Sequence, residues 1–357
     1  MAEPQLPHVG AKFYGMFKET VALARYVFKN EKGTQFVFTG TGTTGMESSV
    51  VSLVSHGDRT LTLMTGYFGH RMLMLNQVHG AKADSMEMAS GKAADPDDLR
   101  KRLRTTKYKV VFITHVDTSS SVINPIPELV KECSKAGVIS VVDSVCAIGG
   151  VPLDFDRVGA DIVFTASQKA LAAPPGAVLV AASPRAIEHM EKRKAPIEAY
   201  YMNLLKWKPI MDDPRMYLAT PATQVLLGLR EAMLEVKEEG IENRWARHAK
   251  LGEMTRSRVE EWGEKFVAED GHRANTVTSF WVEKNNAGEI QGKLEKEYNI
   301  MIARGIYDDR DRMLRIGHFG ILAPEVLKKA LDSAGEVMEG LGVVPSHVRV
   351  ARRGKKR

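Results

Sequence analysis

Short apolar runs alternate with helical patterns through the first two thirds of the chain. Six of these runs are rich in Val, Ile, Leu and Phe and fit buried strands; they cover residues 36–40, 60–66, 109–117, 138–145, 161–167 and 177–183. Residues 127–137, between two of the runs, begin with Pro127 and end with Gly137, which is typical of a helix. Near-continuous apolar strands separated by helices predict an α/β fold whose sheet is mostly parallel and covered by helices on both faces.

The pattern changes near residue 222. Apolar residues then recur at helical spacing up to Val236, and a second helix is predicted over 241–262. Further elements are predicted as a strand near 277–283, a helix near 288–298, short strands in "IMIARG" and "MLRIGHFG", and a last helix over 324–340. This mixture predicts a smaller C-terminal α+β domain. We therefore predict a large domain over 1–240, a small domain over 241–345 and a flexible basic tail over 346–357.

Composition is that of an ordinary globular protein, with 44% apolar and 26% charged residues. No uninterrupted apolar run is long enough to span a membrane, and the first ten residues, "MAEPQLPHVG", lack the apolar core of a secretory signal. Cys133 and Cys146 are the only cysteines, too few for a disulfide framework or a cysteine-only zinc site. We expect no metal and a reducing, cytoplasmic location, and the C-terminal "KKR" is not a peroxisomal signal.

Basic residues are concentrated at the C-terminus. Lys and Arg total 50 and Asp and Glu total 44, and six of the bases lie in "RVARRGKKR", so the rest of the chain carries 44 of each sign. A solvated tail explains this distribution. A nucleic-acid partner is not favoured, because the remainder of the chain offers no basic surface.

The stretch "FVFTGTGTTGMESSV" holds a glycine-rich loop between a predicted strand and a predicted helix. Gly40, Gly42 and Gly45 form G-x-G-x-x-G, and Asp58 follows 18 residues after Gly40, near the position of a ribose-binding acid in dinucleotide-binding proteins. A helix N-terminus with glycines and hydroxyls binds any phosphate, so this loop alone fits a nicotinamide-dependent dehydrogenase or another phosphate-bearing cofactor. A P-loop is excluded because Met46 stands where its lysine would be.

Two further residues favour the second alternative. Asp143 ends one predicted strand, and Lys169 follows the next in "SQKALAAPPG". An amine among small and apolar residues is more readily neutral and can form a Schiff base. A pyridoxal ring also needs a carboxylate that keeps its ring nitrogen protonated. Two neighbouring strand ends could present both groups to one cofactor.

Residues 141–183 resemble the class V aminotransferases of fold type I, especially the alanine–glyoxylate (serine–pyruvate) aminotransferases. The resemblance covers nearly the whole chain and implies a seven-stranded sheet in the large domain. It also implies that Lys169 forms a Schiff base with pyridoxal 5′-phosphate and that Asp143 pairs with the pyridine nitrogen. We expect these two residues to be catalytic.

The resemblance implies roles for further residues. The cofactor phosphate would be held by Thr41, Gly42, Thr43 and Gln168, and by Tyr217 and Thr220 reaching in from the neighbouring subunit of a homodimer. Thr118 would hydrogen-bond the cofactor. Its ring would lie between Val145 and Phe68, where many family members carry Trp instead of Phe. Arg315 would bind the substrate carboxylate, a role that suits an arginine in the apolar run "MLRIGHFG".

The implied activity is a ping-pong transamination from a small amino acid, alanine or serine, to glyoxylate or another 2-oxo acid. The alternatives are a class V enzyme with a different amino donor, the dehydrogenase, and a protein that binds RNA or a partner through its tail. A cysteine desulfurase is not favoured, since neither cysteine falls on a mobile loop. Family members usually begin with a Pro-Gly-Pro-containing segment, and the chain aligns after it.

Overall fold

A computed structural model of the chain describes residues 5–282 and 286–343. Within these ranges, the largest sheet has seven strands, which are β1 (Thr34–Thr39), β2 (Arg59–Met64), β3 (Lys82–Glu87), β4 (Val110–Thr114), β7 (Ile139–Asp143), β8 (Ile162–Ala166) and β9 (Ala177–Ala182). A short ribbon pairs β5 (Val116–Asp117) with β6 (Val122–Ile123). The remaining sheet contains β10 (Val277–Trp281), β11 (Ala303–Arg304) and β12 (Met313–Gly317).

Helices separate most of these strands. They are α1 (Ala11–Phe28), α2 (Gly42–Leu53), α3 (Tyr67–Val78), α4 (Pro96–Thr105), α5 (Ile126–Lys135), α6 (Phe155–Val158), α7 (Pro184–Glu191), α8 (Leu204–Asp212), α9 (Thr223–Glu239), α10 (Ile241–Trp262), α11 (Ala287–Tyr298) and α12 (Pro324–Gly340). Helix α2 packs on β8 and β9, α3 packs on β2, β3 and β4, and α5 packs on β7.

The large sheet has the strand order β1-β9-β8-β7-β4-β2-β3. Strand β9 is antiparallel to both of its neighbours, and the other six strands run in one direction. The prediction of a mostly parallel, seven-stranded sheet is therefore confirmed. Because the six parallel strands share a direction, their carboxyl ends meet at one edge, where ligands of such sheets bind.

Burial explains which strands the apolar pattern could predict. Every residue of β4, β7, β8 and β9 is buried, as expected when helices cover both faces of a sheet. Strand β3, "KADSME", lies at the edge of the sheet and is largely exposed. It has no apolar run, so the pattern did not indicate it.

The prediction of one continuous strand over 109–117 was wrong. Strand β4 ends at Thr114, and the chain turns at His115 before the short ribbon begins. His115 is buried, its amide donates to the carbonyl of Asp143 at 2.8 Å, and its Nδ1 lies 3.1 Å from Ser144 Oγ. These contacts hold the chain against β7 at the point where the pairing between β4 and β7 ends.

The second part of the chain has its own apolar cluster. The antiparallel sheet β10-β12-β11 and helices α10, α11 and α12 contribute to it, and its members include Leu251, Phe280, Leu314 and Met338. The apolar cluster around the large sheet extends to Ile241. The division of the chain at residues 240 and 241 stays a prediction, and the tail predicted over 346–357 lies outside the described residues.

None of the described helices has both the length and the apolar content needed to cross a membrane. Nor, within the same ranges, do three or more His, Cys, Asp or Glu side chains converge in a way that could hold a metal ion.

Candidate active site

Asp143 and Lys169 follow neighbouring parallel strands. Asp143 is the last residue of β7 and pairs in register with Phe164 of β8, and Lys169 follows the end of β8 at Ala166. Both residues therefore lie at the carboxyl edge of the sheet, as the sequence predicted for a shared cofactor. Their side chains differ in exposure, since Asp143 is buried and Lys169 is half-buried.

Burial dominates the electrostatics of Asp143. Together with the nearby charge of Asp117, which acts in the same direction, it raises the pKa of the carboxyl group to about 7. The amide of Val145, which donates to Asp143 Oδ1 at 3.0 Å, and the positive charges of Arg71 and Lys169 act in the opposite direction. A cationic partner at this position would favour the ionised carboxylate.

Lys169 projects from a tight turn. The amide of Ala172 donates to the Lys169 carbonyl at 2.9 Å, and Ala172 has a φ of 63°, which is uncommon for a residue other than glycine. Lys169 Nζ lies 5.4 Å from the centre of the Phe319 ring. The amine is thus held near an apolar surface at the edge of the sheet.

The predicted phosphate loop forms the N-terminus of α2. Thr41 precedes the helix in extended conformation, and its amide donates to Thr44 Oγ1 at 3.0 Å. The amides of the first turn of a helix have no partner within the helix, and they favour an anion. Thr41 is exposed and Gly42 and Thr43 are half-buried, so a ligand can reach this turn.

Glycines allow this helix to approach the sheet closely. A Cβ on Gly45 would lie 2.8 Å from Phe164 Cδ2 and 2.9 Å from Val178 Cγ2. A Cβ on Gly42 would lie 3.0 Å from Val145 Cγ2, which is tight against the predicted ring-stacking residue. The glycine pattern of the loop therefore has a packing origin, whatever its predicted role toward a phosphate.

Gln168, which precedes Lys169, carries an unpartnered amide oxygen. Its Oε1 atom is buried and has no hydrogen-bond partner within the described residues. A buried acceptor without a partner costs free energy, so this oxygen is suited to a donor group of a ligand. A phosphate needs donors, so it would be bound by the Nε2 amide of Gln168 and the amides of α2 rather than by this oxygen.

Phe68 stands in the first turn of α3, and Asp117 fixes that turn. Asp117 Oδ2 accepts from the Phe68 amide at 3.0 Å, and its Oδ1 accepts from the Ser119 amide at 2.9 Å. Burial raises the pKa of Asp117, and these hydrogen bonds lower it. Sequence reasoning missed this role, because Asp117 was the last residue of the strand predicted over 109–117 and the turn at His115 was not foreseen.

Arg71 was also missed. Its Nη1 donates to Thr43 Oγ1 at 3.3 Å, its Nη2 donates to the Tyr67 hydroxyl at 3.4 Å, and its guanidinium lies 4.9 Å from the centre of the Phe68 ring. It follows Tyr67 by four residues on α3, a helical spacing that could have indicated the contact. Arg71 thus joins the phosphate loop to the predicted stacking residue.

Arg315 on β12 is oriented by main-chain oxygen atoms. Its Nη1 donates to the carbonyl of Thr118 and its Nε donates to the carbonyl of Arg304, both at 2.7 Å. No Asp or Glu in the described part of the chain forms an ion pair with this half-buried guanidinium. An arginine so placed can donate hydrogen bonds to a carboxylate from outside the chain.

Tyr217 and Thr220 lie between helices α8 and α9. The two hydroxyl groups are 2.9 Å apart, and both residues are exposed. They are open to contact from outside the chain, and their predicted role in a neighbouring subunit stays a prediction.

The position of Asp58 contradicts the dehydrogenase interpretation. Asp58 precedes β2 and its Oδ2 accepts from the Ser55 amide at 2.9 Å. It therefore lies at the amino edge of the sheet, opposite the glycine loop. A ribose-binding acid would have to follow β2, not precede it.

Known proteins resemble the chain over nearly its whole length. The profile of the family Aminotransferase class-V matches residues 2–307. An uncharacterised aminotransferase of Methanocaldococcus jannaschii is 31% identical over 99% of this chain and 92% of its own, and the serine–glyoxylate aminotransferase of Arabidopsis thaliana is 32% identical over 88% and 80%. The crystal structure of an alanine–glyoxylate aminotransferase from Nostoc sp. superposes with a TM-score of 0.91 at 27% identity, covering 94% of this chain and 90% of that one. The fold and the sequence of the present chain agree with the chemical groups found at the carboxyl edge of its sheet. The chain belongs to the class V aminotransferases.

Proposed function

We propose that the chain transfers the amino group of alanine or serine to glyoxylate, or to another small 2-oxo acid, with pyridoxal 5′-phosphate as cofactor. The observation that carries this proposal is the arrangement at the carboxyl edge of the sheet. An amine and a buried carboxyl group lie at the ends of adjacent strands there, and no Asp or Glu among the described residues pairs with Arg315.

Each group has a defined task toward the cofactor. The first turn of α2 and the Gln168 amide would bind the phosphate, and Val145 and Phe68 would pack on the two faces of the ring. Asp143 would keep the ring nitrogen protonated. When bound through Lys169, the cofactor would supply an electron sink for the electron pair released at the α-carbon of the donor.

Lys169 also acts on the substrate. Once the donor has displaced it from the cofactor, its Nζ would take the proton from the α-carbon of the donor and deliver it to the cofactor carbon. Arg315 would hold the α-carboxylate through paired hydrogen bonds, so that the Cα–H bond meets Nζ in a fixed orientation. Water would then release the first 2-oxo acid and leave its amino group with the cofactor, and the second half of the reaction would pass that group to the acceptor 2-oxo acid by the same steps in reverse.

The donor and acceptor are assigned from relatives. Those named as alanine–glyoxylate and serine–glyoxylate aminotransferases align over most of the chain. Small substrates also suit a site in which an arginine fixes the one carboxylate that alanine, serine and glyoxylate share. A different amino donor is the main alternative within the family.

We further propose a symmetric homodimer with shared sites in the cytoplasm. Tyr217 and Thr220 are exposed and hydrogen-bonded to each other, which suits a contact to the partner's cofactor phosphate. Both cysteines are free and buried, which suits a reducing compartment.

Covalent trapping combined with a donor panel tests the proposal. The protein is incubated with pyridoxal phosphate, its visible absorption is recorded, and borohydride reduction followed by peptide mapping locates the label. Alanine, serine and glutamate are then offered separately with glyoxylate, and the glycine formed is measured. We expect the label on Lys169 and turnover with alanine or serine.

Two variants complete the test. Lys169→Ala should lose the label and the turnover, and Arg315→Lys should raise KM for the donor about tenfold or more, because a single ammonium cannot replace a bidentate guanidinium. Arg312→Lys, at an exposed residue paired with Asp309, is the control and should leave KM unchanged. Absence of a pyridoxyl label from Lys169 would refute the cofactor assignment, and turnover with glutamate alone would refute the donor.

A further inference from the structure

A fully buried arginine lies beside the turn that carries Lys169. Arg244, in the first turns of α10, is 1% exposed. A buried guanidinium is costly unless hydrogen bonds and an opposite charge compensate it. Its Nη1 lies 2.9 Å from Glu239 Oε2, and its Nη2 donates to the carbonyl of Ala170 at 2.8 Å. Ala170 directly follows Lys169, so this cation holds the main chain next to the catalytic amine.

A second arginine extends the contact to the segment that follows β12. Arg247 donates through Nε to Glu239 Oε1 at 2.6 Å and through Nη2 to the carbonyl of Gly320 at 3.0 Å. The Gly320 amide in turn donates to His248 Nε2 at 3.1 Å. Gly320 follows Phe319, whose ring faces Lys169 Nζ. One carboxylate therefore anchors both segments that border the amine.

Close packing leaves the lysine turn little freedom to adjust. A Cβ on Gly150 would lie 3.0 Å from the Ala170 Cβ and 3.1 Å from His248 Cδ2, so the turn is pressed between this glycine and α10. The Ala172 backbone already occupies the left-handed region. A shift of the Ala170 carbonyl would therefore move Lys169 rather than be absorbed elsewhere.

We propose that Glu239, Arg244 and Arg247 form a clasp that positions Lys169 from the junction of α9 and α10. Glu239 ends α9, and both arginines belong to the next helix. The clasp bridges that junction to the lysine turn through Ala170 and to the segment after β12 through Gly320. These three are positioning residues, because none of them is adjacent to the reacting atoms. The inference rests on the proposed function, since it concerns the same amine.

Arg244→Met tests the clasp in the cofactor-loaded enzyme. The variant removes the hydrogen bond to Ala170 while keeping an unbranched apolar stem. We expect kcat to fall about tenfold or more, since small displacements of a catalytic group are costly, while KM for the donor changes less than about threefold because Arg315 is untouched. The pH midpoint of the visible absorption of the cofactor–lysine adduct should also move. Arg244→Lys should recover part of kcat, since an ammonium retains the charge but cannot reach both partners.

Arg258→Met on the same helix is the matched control. Arg258 pairs with Glu261 and Asp332 away from the lysine turn, so kcat and the absorption midpoint should stay at the wild-type values. If Arg244→Met does not fold, Glu239→Gln, which keeps both arginines, should give the same fall in kcat.

Two outcomes separate the clasp from the proposed function. A wild-type protein without a cofactor–lysine adduct would refute the proposed function. Wild-type kcat and an unchanged absorption midpoint in folded Arg244→Met, or in folded Glu239→Gln, would refute the clasp alone, and would leave these residues a purely structural role.

Discussion

At the scale of single residues, the ionisation of Asp143 links pH to stability. Burial raises its pKa to about 7 in the folded chain, against an ordinary value of 3.8. Between these values the folded state without cofactor binds more protons than the unfolded state. The contribution of Asp143 to stability is therefore fully present below about pH 4 and is lost as the pH rises through 7.

We predict that Asp143→Asn removes this dependence. Urea unfolding of the cofactor-free protein at several pH values between 4 and 8 should show that the wild type loses stability relative to the variant by a few kcal/mol. The difference between the two proteins is the quantity to measure. Burial lowers the pKa values of His115 and His248 to about 4, so their titration makes stability rise with pH. Both proteins contain these histidines, so this contribution cancels in the difference between them.

A constant difference between the two proteins across this pH range would show that Asp143 is already ionised without a cofactor. In the loaded enzyme Asp143→Asn should keep the covalent label on Lys169 and lose about a hundredfold in kcat, since the amide cannot hold the ring nitrogen protonated.

The position of Asp143 and Lys169 at the sheet edge could be predicted from the sequence. Each lies at or just after the end of a clearly apolar strand, and the ends of parallel strands meet at one edge of the sheet. Asp117 could not be predicted, because the break at His115 is imposed by contacts with β7 that are distant in sequence. The contact of Arg71 could not be predicted for a related reason. Its partner Thr43 belongs to another helix, and only the packing of α2 beside α3 brings them together.

At the scale of elements, the proposed phosphate site depends on how closely α2 approaches the sheet. We predict that Gly45→Ala weakens cofactor binding about tenfold and costs about 1 to 3 kcal/mol in stability, because the added methyl would meet Phe164 and Val178 and push the helix outward. The dissociation constant for pyridoxal phosphate, measured by absorbance titration, and urea unfolding check the two parts.

Gly292→Ala in α11 is the control for Gly45→Ala in α2. Among the described residues, nothing lies within 4 Å of a Cβ at this position. Since alanine favours helix over glycine, the variant should be stabilised by about 0.5 to 1 kcal/mol, with unchanged cofactor binding. Equal affinities in both variants would mean that α2 tolerates the methyl without moving.

At the scale of the whole molecule, the proposed homodimer with shared sites predicts complementation between inactive dimers. One variant carries Lys169→Ala, and the other carries Tyr217→Phe together with Thr220→Ala, which should abolish turnover at limiting cofactor. Random exchange of subunits makes half of the dimers mixed, each with one intact site, so about a quarter of the wild-type activity should return.

Wild-type dimers taken through the same exchange procedure control for losses. No recovery after proven subunit exchange would mean that Tyr217 and Thr220 serve their own chain, or none. The sequence could suggest this arrangement only by resemblance, because a contact to another copy leaves no periodic pattern in the chain.

The attachment of Arg315 bears on how such a protein can diversify. Its guanidinium is aimed by two main-chain carbonyls, which every amino acid possesses, rather than by side chains that mutation can remove. If Arg315 binds the donor carboxylate as proposed, changes in the surrounding residues can alter which side chains the site accepts beyond the α-carbon without disturbing the contact to the carboxylate that every donor has. Proteins that descend from an ancestor with this geometry could use different substrates, while all of them still bind the same end of the substrate.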